Sequence, residues 1–351
     1  MPVGLSVLDI DTDIINPLNG NVITVNDIEI STNGTNNINI GEDSGQAITT
    51  GERNTSLGNL ALTSSTSDVD NTAVGHQALE INQGGANTAV GSWALKVATA
   101  SIQNDAFGAY SLNQFNSGSF NTAIGSNAGW TLLNGDNNTF LGFQSGSMFT
   151  SSANRNTVLG NSQGVAFTGG SGNDNVFVGR NAGRAYGGGD NNVILGSYAM
   201  SFASPITGDN NIQIGYNSTK ATATTSNSIT LGNSSHTVIR AAVTTITSLS
   251  DERDKDEIKD LSAGLDFINE IKPVSFVWKD RDENGKQGIK DSGFTAQNLK
   301  EVQEKYNLSE ELKLVYEENP EKLEASYGRL IPILVKAIQE LSDKFKELEA
   351  K

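Results

Sequence analysis

One phrase recurs twelve times between Asn37 and Gly232: an Asn, three further residues and a Gly, with an apolar residue directly before the Gly. Asn71-Thr72-Ala73-Val74-Gly75 is one copy, and Asn121-Thr122-Ala123-Ile124-Gly125 is another. The closing glycines stand at 41, 58, 75, 91, 108, 125, 142, 160, 179, 196, 215 and 232, so the period stays between 16 and 19 residues. A period this regular predicts a solenoid over the first two-thirds of the chain. Nothing in the repeated phrase is a reactive group.

The residue before each Gly is apolar in every copy, from Ile40 and Leu57 to Ile214 and Leu231. The residue four before is Asn in eleven copies and Ser228 in the last. The residue three after is mostly small, as at Ala78, Ala94, Ala128, Ala182 and Ala199. That pattern is expected to let neighbouring chains approach closely. Each Asn-x-x-apolar-Gly phrase reads as a short strand. Alternate side chains of a strand face opposite ways, so only some can line a core. Gly allows the positive φ of a corner. Asn can bond its own backbone or stack on the Asn of the next coil. About 17 residues is too short for a helix, a strand and their loops, whereas two short strands and two turns fit at about 3.3 Å per residue. The expected fold class is a parallel β-roll or β-helix, a mostly β solenoid, followed by a small α+β domain ending in a coiled-coil helix. The glycine runs Gly169–Gly172 and Gly187–Gly189 are expected to bulge outward as loops.

Composition narrows the chemistry. The chain has no Cys and only two His, His76 and His236. That leaves no disulfide framework or thiolate site, and little prospect of a His-based centre. No metal and no cofactor is expected, and both His read as surface residues. The opening segment Met1–Asp11 lacks a basic region and a long apolar run, which argues against a signal peptide. No stretch approaches 18 apolar residues, so no membrane insertion is expected. The net charge of −16 disfavours nucleic acid and anionic membranes as partners.

Charge also marks a boundary. Residues 1–249 hold seven basic and sixteen acidic side chains, whereas residues 250–351 hold seventeen and twenty-four. The reading is an N-terminal attachment or cap segment over 1–36, a solenoid fibre over 37–249 and a separate domain over 250–351. In that domain, helical spacing runs from Leu261 to Ile271 and ends at Pro273. Val274–Lys279 alternates like a strand, Asp280–Gly285 is a turn, and a strand near Gly293 leads into a helix to about Tyr306. A final helix is expected from about Leu330 to Glu349. There Ile331, Leu334, Ile338, Leu341, Phe345 and Leu348 form a heptad seam. A face buried within one globular domain accounts for a seam this short as simply as a coiled coil does. Ile and Leu at these positions lean toward two strands, so a trimer does not follow from them.

Ser250-Asp251-Glu252-Arg253-Asp254-Lys255-Asp256-Glu257-Ile258 resembles the opening of the endosialidase-type intramolecular chaperone, the peptidase S74 domain of phage tail fibres and tailspikes. Gly264–Asn269, Lys272–Phe276, Gly293–Gln297, Tyr327–Leu330 and Lys336–Leu341 continue the likeness in order over about 100 residues. The resemblance implies a domain that drives homotrimer formation of the fibre upstream and then cuts itself off before the Ser. It implies a catalytic dyad of Ser250 and Lys255, with the Leu249–Ser250 bond cleaved. Such a protein is at most a single-turnover serine endopeptidase acting on itself. Apart from the resemblance, Ser250 reads as a helix cap or turn residue and Lys255 as a solvated charge. Lys serves as a base only when neutral, so it must be desolvated or close to another cation. Asp251, Glu252, Asp254, Asp256 and Glu257 surround Lys255 in sequence, so an active dyad requires Lys255 to turn away from them.

The N-terminal repeat resembles, more loosely, the heads of trimeric bacterial adhesins. Together these point to a virion-borne tail fibre, attached through its N-terminus to the tail or to another fibre protein. It would bind a host cell-surface receptor, a glycan. Trp93, Tyr110, Trp130, Tyr186 and Tyr198 are candidate sugar contacts, although lateral packing accounts for any one of them as well. The alternatives are a polysaccharide depolymerase tailspike and a bacterial trimeric surface adhesin. Depolymerisation needs a set pair of carboxylates, but Asp136, Asp174, Asp190 and Asp209 read as turn residues.

Overall fold

A computed structural model describes residues 23–25, 28–31, 34–147, 149, 152–161, 172–184, 186–201, 206–218, 222, 224–236, 238–240, 242, 246–279 and 286–351. The chain divides into two compact units, residues 1–233 and 234–351.

The first unit is a parallel β-solenoid. Twelve three-residue strands, one from each repeat, stack in order from Ile38–Ile40 to Ile229–Leu231. Each pairs parallel with the next, in the same register at every step: Ile40 faces Leu57, Leu57 faces Val74, and Ile214 faces Leu231. Strands Ile23–Val25 and Ile28–Ser31 form an antiparallel hairpin on the Ile38–Ile40 edge. A second strand per coil is present only in places, as Ile81–Asn82 on Val97–Ala98 and Ala100–Ile102 on Ser117–Ser119. The Gly187–Gly189 run is not a loop but lies partly in a wall strand, whose pairing shifts register between Tyr186 and Gly188. Tyr186–Gly188 pairs with Ile206–Thr207, and the Gly189 carbonyl accepts from Asn175 Nδ2 at 3.0 Å. Gly188 sits at φ 116°, a backbone conformation that favours glycine. The Gly169–Gly172 run lies outside the described residues apart from Gly172.

The interior is built from the middle residue of each strand, the small residue three after each Gly and, in several coils, the next residue, as at Leu62, Leu79, Leu95, Leu112 and Met200. Ala73, Ala89, Ala106, Ala123, Phe140 and Phe177 are fully buried, as are Ala78, Ala94, Ala128 and Ala199. The small residues after Gly therefore fill the coil's own core and are not a contact surface for neighbouring chains. Beside them runs an asparagine ladder. The backbone N–H of each repeat Asn donates to the Oδ1 of the Asn one coil before, from Asn54 on Asn37 at 2.7 Å to Asn211 on Asn192 at 3.0 Å. Ser228 N ends the series on Asn211 Oδ1 at 3.1 Å. The Nδ2 groups reach carbonyls of the opposite wall, as Asn121 does to Gly135 O at 2.8 Å. Buried amides must be satisfied, and the repeat Asn does this mainly across coils, with a further bond to its own backbone in places, as Asn121 Nδ2 donates to Ser119 O at 3.2 Å.

The corner needs Gly for two reasons. Gly125 has φ 130°, and a Cβ there would lie 2.4 Å from the carbonyl oxygen of Gly142 in the next coil. The apolar residue before Gly points outward: Leu57, Phe107, Ile124, Leu141, Ile214 and Leu231 are exposed. It shares that face with the first strand residue, a column of six Thr, five aliphatic residues and one Asp, Asp105. The outer face of the sheet is thus apolar and nearly uncharged.

The second unit is a small α+β structure. Helices α1 (Leu265–Glu270), α2 (Ala296–Lys305), α3 (Ser309–Leu312) and α4 (Leu330–Glu349) accompany two antiparallel hairpins. The hairpins are Val274–Val277 with Lys290–Gly293, and Val315–Tyr316 with Glu324–Ala325. Phe267, Ile271, Leu299, Val302, Leu314, Leu330 and Ile333 make the core. α1 starts at Leu265, later than the apolar spacing suggests, because Gly264 leaves helical geometry and the Glu340 carboxylate accepts from Leu265 N at 2.8 Å. Tyr327 ties the domain together: its hydroxyl accepts from Phe294 N at 3.1 Å and donates to Phe294 O at 2.8 Å. The predicted turn over 280–285 lies outside the described residues.

Candidate functional site

Ser250 and Lys255 come together through a single tight turn. Asp251 precedes a 3-10 turn at Glu252–Asp254, and its carboxylate accepts from Arg253 N at 2.9 Å. Asp251, and not Ser250, is therefore the cap. The Lys255 N–H closes the turn on Glu252 O at 3.1 Å, which carries the Lys255 side chain back over Ser250. Lys255 Nζ donates to Ser250 Oγ at 2.7 Å and lies 3.3 Å from the Ser250 carbonyl oxygen.

The acids crowding Lys255 in sequence are directed elsewhere. Asp251 holds the Arg253 guanidinium at 2.6 Å, and that hydrogen-bonded guanidinium keeps the Asp251 carboxyl below the usual carboxylate range. Glu257 pairs with Lys259 at 3.0 Å. Among the described residues no carboxylate is within ion-pair distance of Lys255. Both Ser250 and Lys255 are exposed, as is Leu249. The chain brings the hydroxyl and the amine to bonding distance, but at this exposed position it does not supply the burial that converts an ammonium into a base.

The heptad seam of α4 is also on the outside. Ile331, Leu334, Ile338, Leu341, Phe345 and Leu348 are 43 to 68% exposed, while α4 buries Leu330, Ile333 and Ala337 against the core. The seam is thus not the face that packs into its own domain.

The aromatic candidates are scattered over the solenoid surface. Trp93 donates from Nε1 to His76 Nδ1 at 2.8 Å, meets Tyr110 edge-on at 5.0 Å and carries Lys96 Nζ 4.9 Å from its ring centre. Trp130 is exposed and stands apart from that group. Tyr198 lies under the Arg180 guanidinium, with centroid and Cζ 4.8 Å apart. Nothing is described of the Tyr186 side chain. Sequence reasoning passed over Arg180, whose link to Tyr198 spans 18 residues and joins neighbouring coils, so no local motif announces it. The acids behave as turn residues: Asp190 and Asp209 accept from the backbone N–H of Asn173 and Asp190 at 2.8 Å each.

The region around Ser250 has a counterpart among known families. Residues 250–308 match the peptidase S74 family model, the chaperone of endosialidase. The match starts at Ser250 itself and runs through α1, the first hairpin and α2. It identifies this stretch as a chaperone-of-endosialidase region, downstream of the solenoid. No curated protein and no solved structure matches the chain.

Proposed function

We propose that this chain is a self-assembling fibre of a phage tail that binds a glycan on the host envelope. In this reading its chaperone-of-endosialidase region brings three copies into register. The combination of a β-solenoid with that region fits a tail fibre or tailspike type protein. The observation that carries the assembly reading is the pair of apolar surfaces left exposed among the described residues: the outer face of the solenoid and the seam of α4. At about 4.8 Å per strand, twelve strands run roughly 50 Å, and an apolar face of that extent marks an interaction surface. The number three comes from the resemblance.

Assembly also supplies what the Ser250–Lys255 pair lacks. Covered by a neighbouring copy, Lys255 loses its water and with it the preference for the charged form. Ser250 Oγ then attacks the Leu249 carbonyl carbon as Lys255 takes the hydroxyl proton. The C–N bond breaks with a proton delivered to the Ser250 nitrogen, and water hydrolyses the resulting ester. The expected products are 249 and 102 residues long.

Light scattering and intact-mass measurement on the purified chain test this reading. The expected result is a trimer with both fragments present. Ser250→Ala and Lys255→Ala should remain trimeric but whole. Ile338→Asp with Leu341→Asp should give uncut monomer, because the seam residues lie outside the domain core. A wild-type monomer at micromolar concentration defeats the assembly reading. A wild-type trimer of intact 351-residue chains defeats only the cleavage step.

A further inference from the structure

The turn that carries Lys255 back over Ser250 is held by one pair of residues. The Asp251 carboxylate accepts three bonds from Arg253: from the backbone N–H at 2.9 Å, from Nε at 3.0 Å and from Nη2 at 2.6 Å. A guanidinium meets a carboxylate as a planar fork, which is stronger and more exacting than a single contact. Both side chains face solvent, so the pair adds little to the stability of the fold. Its position gives it another use.

Lys255 Nζ stands 3.3 Å from the Ser250 carbonyl oxygen, which belongs to the peptide group joining Ser250 to Asp251. The amine thus lies beside the residue that could offer it the nearest anion. Hydrogen bonding to the guanidinium holds the Asp251 carboxyl below the usual carboxylate range, so that anion is present at any working pH. The other acids nearby have their own places. Asp256 accepts from Glu257 N at 2.8 Å, Glu257 pairs with Lys259, and Glu252 and Asp254 bound the 3-10 turn. Among the described residues no charged group of another element comes within ion-pair distance of Lys255.

We propose that Arg253 is a positioning residue for the Ser250–Lys255 pair. It sequesters the Asp251 carboxylate, which keeps the turn capped and leaves Lys255 without an anion. The inference rests on the reading of Ser250 and Lys255 as the self-cleaving pair and adds what sets the protonation of the amine. An opposite charge within about 4–6 Å favours the ammonium and raises its pKa by about 1–3 units. A released Asp251 carboxylate would act on Lys255 in that way. A base that holds its proton more tightly is available only at higher pH. Arg suits the task because it stays charged wherever Lys titrates.

Cleavage rates of the full chain across pH, read by intact mass, test the proposal. In Arg253→Gln the rising limb should move up by about one pH unit, which means about tenfold slower cleavage on its acid side. Adding Asp251→Asn to Arg253→Gln should bring the limb back, because Asn still caps the turn but carries no charge. Arg253→Lys, a charge without the fork, should fall between the wild type and Arg253→Gln. Slower cleavage by the same factor at every pH, with no recovery in the double variant, would show that Arg253 only staples the turn, and overturns the proposal. An unmoved rate overturns it too. Competitive acetylation of amines in a chain carrying Ser250→Ala, which has no nucleophile and stays whole, separates this from the cleavage reading. There the labelling midpoint of Lys255 should rise on Arg253→Gln and return with Asp251→Asn. A wild type that is whole at every pH defeats the cleavage reading, and the Lys255 midpoint then decides the inference: raised, it stands; unmoved, it falls.

Discussion

The two units solve the same problem in opposite ways. The solenoid has a narrow interior that repeats one kind of layer from coil to coil, with Ala beside a Leu such as Leu62, Leu79, Leu95 or Leu112, or a Phe such as Phe140 or Phe177. Its coils are joined mainly by backbone pairing and by the asparagine ladder. The C-terminal unit has a conventional apolar core around Phe267, Leu299 and Ile333, in no repeating pattern. A periodic interior is strong along its length but carries no information about which coil is which. An irregular core has one packing solution. Under the assembly proposed above, the difference teaches why a solenoid of near-identical coils benefits from a non-repeating companion: register has to be set by something that is not itself periodic.

The sharpest way to break this comparison is to charge the ladder. Asn121 accepts from Asn138 N at 3.0 Å and donates to Asn104 Oδ1 at 2.9 Å and Gly135 O at 2.8 Å. Asn121→Asp keeps the acceptor and turns two donors into a carboxylate facing two oxygens. An uncompensated buried charge of this kind costs about 3–5 kcal/mol. Burial raises the carboxyl's folded pKa above its unfolded value, so the loss should shrink as pH falls and the neutral acid regains a donor. Denaturant unfolding at neutral and acid pH reads both effects, and an unchanged midpoint would mean that the ladder is dispensable.

Next in size is Phe267→Ala, expected to cost about 3–5 kcal/mol by cavity formation. It should lower the transition of the C-terminal unit and leave that of the solenoid in place. Calorimetry of the full chain, with the far-UV helical signal marking the C-terminal unit that holds α1 to α4, would resolve them. Movement of both transitions together would show one cooperative molecule and erase the distinction drawn here.

Glycine offers a matched pair. Gly125→Ala meets both a strained φ and a carbonyl oxygen at 2.4 Å, whereas Gly288→Ala meets φ 81° with no atom within 4 Å. The strain alone is about 1–3 kcal/mol at each, so the excess at Gly125 measures how closely the coils approach. Equal melting shifts would mean that the coils separate easily.

The smallest expected effect concerns acid. The hydrogen-bonded guanidiniums of Arg53 and Arg155 hold Asp70 and Asp174 below the usual carboxylate range. A depressed folded pKa gives stability present above the unfolded pKa near ~3.9 and lost as pH falls through the folded one. All four side chains are solvent-facing, so salt should weaken the contribution further. Asp70→Asn with Asp174→Asn should flatten the solenoid's acid limb slightly without moving its neutral-pH midpoint. A large neutral-pH shift would show that these pairs hold the coils together after all.

Much of the molecule was legible from residue order. The Asn-to-Gly phrase placed all twelve strands, because a period of about 17 residues admits few other coils. The heptad spacing placed α4 at Leu330–Glu349. The hairpin Val315–Tyr316 with Glu324–Ala325 escaped notice because two-residue strands carry no periodicity. At the candidate site the resemblance singled out Ser250 and Lys255, but their 2.7 Å separation depends on the Asp251-capped turn between them.

By itself, then, the sequence determined the repeat, its parallel stacking and the change of character toward the C-terminal domain, since periodicity and charge are properties of residue order. The tertiary structure alone decided which face each position takes. Val74 and Ala73 are both apolar neighbours in one strand, yet Ala73 is buried and Val74 points outward. Their alternation was certain, but its phase depends on which side of the strand the chain turns after Gly75. The same applies to Arg180 and Tyr198. They become neighbours only because successive coils lie one strand spacing apart, a distance that residue order does not express.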